Sequence, residues 1–223
     1  MTAALLPGYA VSMLRMRTHA LIAAVLTLAL AAPPAWSQAP TPAPAPGKPP
    51  SHRGSALPKT PAEHEKTLSD LYALLATADD EEAAKAITDA IERVWMHSGS
   101  ATIDLLMERA MKAMSEKNTD LALKLFDHVV ELAPDFTEAW NRRAYVHFVL
   151  NDVERALGDL RRALALDPHH YKALDGLGQI LREVGQKKGA LKAFQQLLEV
   201  HPFWQNAKQA VDELEREVEG QGI

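Results

Sequence analysis

The chain has 223 residues, enough for one or two domains, and 47% of them are apolar, 24% charged and 6% aromatic. That is too apolar for a wholly disordered protein and too charged for a multi-span membrane protein. The absence of cysteine excludes a disulfide scaffold, a thiolate metal site, a cysteine nucleophile and a lipid anchor on Cys, and the formal charge of −5 argues against a nucleic-acid binder, which carries a basic excess or stripe.

Arg15 and Arg17 precede a run without charge from Ala20 to Ala32. The run is too short to span a bilayer, which takes about 20 residues, and suits the apolar core of a secretory signal. Small residues at Ala35 and Ser37 predict cleavage after Ser37, with 1–37 as signal and Gln38 as the new terminus. An uncleaved inner-membrane anchor is the alternative. Residues 1–12 add nothing to this pattern, and Met13 or Met16 would make a more conventional start. Cleavage removes two arginines and no acid, so the net charge would fall from −5 to −7. A signal of this kind on an acidic chain without cysteine predicts a periplasmic or secreted bacterial protein.

Residues 38–61 alternate proline with small residues. Such a stretch sustains neither a helix nor a sheet ladder and predicts an extended, semi-rigid tether. From Pro61 onward proline becomes rare and apolar residues recur at helical spacing. Residues 62–102 read as a degenerate helical hairpin. Leu68, Leu71, Tyr72 and Leu75 stripe its first helix, and Ala83, Ala86, Ile87, Ala90, Ile91 and Val94 its second. Asp79-Asp80 supplies a turn and a cap between them.

The last three prolines, Pro134, Pro168 and Pro202, share one spacing of 34 residues. A fixed period of that length signals a repeat array. Three frames follow: 103–136, 137–170 and 171–204. The fourth position holds Leu106, Trp140 and Leu174, and the eighth holds Ala110, Ala144 and Gly178. The twentieth holds Ala122, Ala156 and Ala190, and the twenty-fourth holds Phe126, Leu160 and Phe194. Each frame predicts two antiparallel helices. Small residues sit where the helices approach, large ones fill the space beside them, and the proline ends the second helix. Turn signals fall at Lys117-Asn118, Asn151-Asp152 and Gly185-Gln186. Residues 205–223 read as a capping helix, with Phe203, Ala207, Ala210, Val211, Leu214 and Val218 on its apolar side, and a short tail.

This pattern resembles the tetratricopeptide-repeat family over about half the chain. The eleventh position departs from the family's Tyr, holding Ala113, His147 and Leu181. The resemblance implies an all-α, right-handed solenoid whose inner concave surface carries positions two, five, nine and twelve of each frame. On that basis the partner groove would be lined by Met107, Met111 and Met114 in the first frame. Glu138, Asn141, Tyr145 and Phe148 would follow in the second, and Lys172, Asp175, Gln179 and Arg182 in the third. Such a groove is apolar at one end and charged at the other, which suits an extended peptide or an amphipathic helix. Chaperone-binding members of the family grip a peptide C-terminal carboxylate with Lys and Asn in the first repeat, Asn in the second, and Lys and Arg in the third. This chain has Met107, Met111, Arg142, Lys172 and Gly176 there, and only Lys172 matches.

No nucleophile elbow, phosphate-binding loop or His-Glu-x-x-His motif is present. Gly176-Leu177-Gly178 lies within a helical stretch, where Gly178 has a packing role. The adjacent His169 and His170 point to different sides of a helix and make a poor metal pair. Acids at Asp79-Asp80 and Glu81-Glu82 suit a helix start. The expectation is therefore a non-catalytic interaction module without metal or cofactor. It would be a monomer or weak oligomer in the bacterial envelope, binding a protein or peptide and no nucleic acid. The alternatives are an accessory subunit of an envelope enzyme or secretion complex, and a self-assembling structural solenoid.

Overall fold

The computed structural model describes residues 57, 58 and 60–220. The signal-like segment, its cleavage point and most of the Pro/Ala-rich segment lie outside the described residues. Within them the chain is built from α-helices alone: α1 (Pro61–Ala76), α2 (Glu81–Trp95), α3 (Ala101–Ser115), α4 (Thr119–Leu132), α5 (Thr137–Val149), α6 (Val153–Leu166), α7 (Tyr171–Glu183), α8 (Lys187–Val200) and α9 (Gln205–Glu219). None of these helices is long and apolar enough to cross a membrane.

Local chemistry sets the boundaries. The side chains of Thr60, Asp80, Asn118 and Asp152 each accept a hydrogen bond from the N–H three residues on, satisfying a donor that the first turn leaves over. The three turns inside the repeats share one backbone solution. Lys117, Asn151 and Gly185 occupy the left-handed region at φ of 59°, 60° and 77°. The next N–H of each reaches back to the carbonyl of Ala113, His147 or Leu181, at 2.8 Å in all three. This is the Schellman closure of a helix C-terminus. The second helix of each pair stops two residues before Pro134, Pro168 or Pro202.

The pairs α3–α4, α5–α6 and α7–α8 pack as antiparallel hairpins, each stacks on the next, and α9 lies along α8. Ala110, Ala122, Ala144, Ala156 and Ala190 are all at most 1% exposed. Gly178 shows why these positions stay small, since a Cβ there would lie 2.7 Å from the Phe194 ring. Phe126, Leu160 and Phe194 fill the space beside the contacts. Leu106 and Trp140 are only half-buried. The Trp140 indole donates to the Pro134 carbonyl at 3.1 Å and lies beneath the guanidinium groups of Arg143 (4.8 Å) and Arg162 (5.9 Å). Arg143 grips Asp159 with two bonds of 2.7 Å and Asp127 with one of 2.9 Å, tying α4, α5 and α6 together.

The N-terminal hairpin calls for a correction. It forms, but it does not stack ahead of the first repeat as an array would require. Instead α1 and α2 fold across the chain onto the third repeat and share one core with it. Leu68, Leu71, Tyr72, Leu75, Ile91, Val94 and Trp95 pack in a cluster with Tyr171, Leu174, Phe194, Leu197 and Val200. The front of the first repeat explains the rejection. Where α5 and α7 present Ala139 and Ala173, both fully buried against the preceding repeat, α3 carries the bulkier Leu105, 47% exposed. Where they bury Val146 and Ile180, α3 carries the exposed Lys112. Covering that lysine would take a charge, now paired at the surface with Glu116 at 3.9 Å, out of water.

Candidate functional site

The expected groove residues fall into two groups. In the first frame Met107 does not face solvent. It is fully buried in the cluster of Ala110, Phe126 and Val129, which corrects its expected place in the groove. The face that the family's fifth position presents elsewhere is here turned inward by the α3–α4 contact. Met111 and Met114 are half-buried against the same cluster. In the second frame Tyr145 stands 58% exposed. Phe148 is half-buried against the core of that repeat. Asn141 donates to Glu138 at 2.9 Å.

In the third frame the polar residues are already engaged. Lys172 makes an ion pair of 2.7 Å with Glu92 of the docked α2. Burial pushes the Asp175 carboxyl above its ordinary value, only partly offset by Trp204, Gln179 and Arg182. Gln179 accepts a bond of 2.9 Å from Arg182, which also lies 3.8 Å from Glu213 of α9. The helices α2 and α9 thus occupy the end that the repeat pattern leaves charged. Open apolar surface remains on α3 and α5.

A buried polar network marks the seam between the hairpin and the repeats. Glu138, 1% exposed, accepts from Arg142 Nε at 2.6 Å, Asn141 Nδ2 at 2.9 Å and His170 Nε2 at 3.0 Å. Burial alone would raise its carboxyl. The bond from His170, the charge of Arg142 and the bond from Asn141 outweigh it and hold the group at about 2. His170 Nδ1 accepts from the Ala173 N–H at 3.2 Å, capping α7, so the ring donates through Nε2. The Trp95 ring lies flat on His170, with centroids 3.8 Å apart and planes 10° from parallel. Its indole donates to the Tyr72 hydroxyl at 2.9 Å, and that hydroxyl donates to Asp167 at 2.5 Å. Burial, then the neighbouring Asp167, holds Tyr72 firmly protonated. Beside this seam α1 arches over the turns between the repeats and leaves a cleft of about 1310 Å³.

In the hinge between α2 and α3, Asp104 accepts from the Ser98 hydroxyl at 2.5 Å and approaches His97 at 3.0 Å. The hydroxyl is turned toward the carboxylate and not toward the imidazole. Among the described residues no three His, Asp or Glu side chains converge as a metal site.

Sequence reasoning put Glu138 on the open concave surface, which its burial corrects, and it missed Glu138, Trp95 and His170 as one unit. The available signal was Glu138 itself, an acid at a helix position where its neighbour Ala139 and the frame's small residues turn inward.

Comparison with known proteins agrees with this geometry. Residues 137–170 match the tetratricopeptide repeat family. A TPR repeat-containing protein of Rhizobium etli is 36% identical over 153 residues, covering 69% of this chain and 75% of that protein. Among solved structures, the Sgt2 TPR domain from Aspergillus fumigatus superposes with a TM-score of 0.51 at 23% identity, over 55% of this chain and 83% of that one. The first TPR of Spaghetti (RPAP3), bound to an HSP90 peptide, superposes with a TM-score of 0.50 at 21% identity, over 52% and 92%. With its period, its hairpin packing and a relative this similar over most of its length, the chain belongs to the tetratricopeptide-repeat proteins.

Proposed function

We propose that this protein is a non-catalytic interaction module of the bacterial envelope that captures a peptide or helix of a partner protein on the surface of α3 and α5. Tetratricopeptide-repeat domains typically mediate contacts between proteins. The observation that carries the reading is Tyr145. It is a large aromatic side chain, more than half exposed, at the same repeat position as the half-buried Met111. Methionine and tyrosine give an adaptable apolar surface with one polar handle. The chaperone-type carboxylate clamp does not fit, because its one matching residue, Lys172, is held by Glu92. The partner would instead be read by apolar side chains of an internal segment.

Crosslinking in intact cells followed by pull-down tests the proposal. Tyr145→Ala is expected to weaken partner capture more than tenfold while helical signal and unfolding cooperativity stay unchanged, since exposed aromatic anchors dominate interfaces. Arg161→Ala, an exposed site on α6, is the control and should leave capture intact. Loss of capture with Arg161→Ala but not with Tyr145→Ala would move the binding surface to the other side of the solenoid. Export belongs to the same proposal. N-terminal sequencing of the protein from a periplasmic fraction is expected to begin at Gln38, and a full-length cytoplasmic product would refute it.

A further inference from the structure

The contact between the hairpin and the third repeat is where histidines gather. Of the seven described histidines, five lie at it: His64, His97, His169, His170 and His201. His64, on α1, faces His97 of the hinge and Asp167 of the turn before α7. Burial, and then the neighbouring His97, holds it below the ordinary imidazole value against the pull of Asp167. Glu65, Asp135 and Glu199 line the same cleft, and His97 is already bound to Asp104.

His201, in the turn after α8, is 6% exposed. Its Nε2 lies 3.1 Å from the Thr88 hydroxyl of α2, and its ring meets the edges of Tyr171 and Trp204. Glu81 and Lys85 stand at the mouth of the adjoining cavity, Asp89 and Glu92 follow along α2, and Glu92 is committed to Lys172. No carboxylate among the described residues hydrogen-bonds to His201. Burial, only partly opposed by its own backbone, holds it below its ordinary value.

We propose that the docked hairpin is a proton-sensitive latch: acid loosens α1 and α2 from α7 and α8 and uncovers Lys172. An imidazolium at His201 would sit against the rings of Tyr171 and Trp204 with no carboxylate bonded to it, and one at His64 would meet His97 as well as the attracting Asp167, so the docked contact disfavours the proton most at His201. The docked form therefore binds fewer protons than the open form, and docking weakens as pH falls below the free imidazole value of about 6.5. A histidine whose protonation is disfavoured while docked shifts the opening equilibrium toward the open form as pH falls from 7.5 to 5.5, by at most about tenfold, and two such residues multiply. The inference does not rest on the proposed binding surface, which lies on α3 and α5 and not on α7.

Native-state hydrogen exchange of the full chain reads the opening directly, without any partner. Protection in α2, corrected for intrinsic rates, is expected to fall severalfold, with about a hundredfold as the ceiling, from pH 7.5 to 5.5 relative to α5 and α6. His64→Gln alone is expected to lose a share of that fall, and His64→Gln/His201→Gln to lose nearly all of it. Equal falls in α2, α5 and α6 would overturn the latch, and so would an undiminished fall in the double variant. Should His201→Gln unfold the chain, an undiminished fall in His64→Gln alone overturns it equally. A failure of partner capture by Tyr145→Ala leaves this measurement untouched, so the two proposals fail separately.

Discussion

Trp95→Ala is expected to cost about 3–5 kcal/mol of unfolding free energy, the range for removing a buried large aromatic. The indole is 2% exposed, stacks on His170, meets Tyr171 with centroids 4.6 Å apart and supplies the donor for the Tyr72 hydroxyl. Its removal leaves a void at the seam and takes one donor from the Tyr72 hydroxyl, which keeps its bond to Asp167. Urea unfolding followed by circular dichroism measures the loss. A cost below about 1 kcal/mol would mean that the hairpin is not anchored through this ring.

The second large effect is expected at Glu138. Glu138→Ala removes the acceptor shared by Arg142, Asn141 and the fully buried His170. Breaking one partner out of a buried charge network costs about 3–5 kcal/mol, because the remaining groups are left without counterpart. Glu138→Gln keeps the shape and separates charge from packing. The folded carboxyl titrates at about 2, against about 4.3 in an unfolded chain. A depressed value means that the unfolded state takes up the proton first as acid is added. The contribution of ionised Glu138 is therefore fully present above about pH 5 and is lost as pH falls toward 2. Denaturation at several pH values should show this loss in the natural chain and a shallower one in Glu138→Gln. Equal slopes in the two chains would exclude Glu138 as its source.

The repeats were legible because their constraint is local and periodic. Ala156 must be small since a second helix passes there, and Pro168 must end a helix since it has no N–H. Both conditions can be checked residue by residue along one strand of text. The hairpin's helices were legible for the same reason, but its destination was not. Leu75 and Ile91 announce burial without saying against what, and the answer lies with Tyr171, Leu197 and Val200, a hundred or so positions away. The local signs were on α3: Leu105 where the next two repeats bury Ala139 and Ala173, and Lys112 where they bury Val146 and Ile180. Met107 failed for a related reason. Its place in the groove was carried over from a resemblance to a frame, while its actual burial depends on how α3 sits against α4 and α5. Trp140 shows the opposite error: a residue expected in the core is half-buried beneath two arginines.

The docking of the hairpin on α7 and α8 also bears on how the chain is born. A linear array can assemble unit by unit, because each repeat needs only its neighbour. Here the first of the described hairpins to leave the ribosome has to wait for the third repeat to find its place. Tyr72 bonds to a residue 95 positions later and Thr88 to one 113 positions later. At a synthesis rate of about 5–20 residues per second, Trp95, Ile91 and Leu75 wait on the order of 5–20 seconds before Val200 is made. During that interval the nascent chain carries a sticky, tryptophan-bearing surface with nothing native to cover it. A holding chaperone that binds such surfaces would find its substrate in this window, and a pause in translation before α8 would lengthen the exposure.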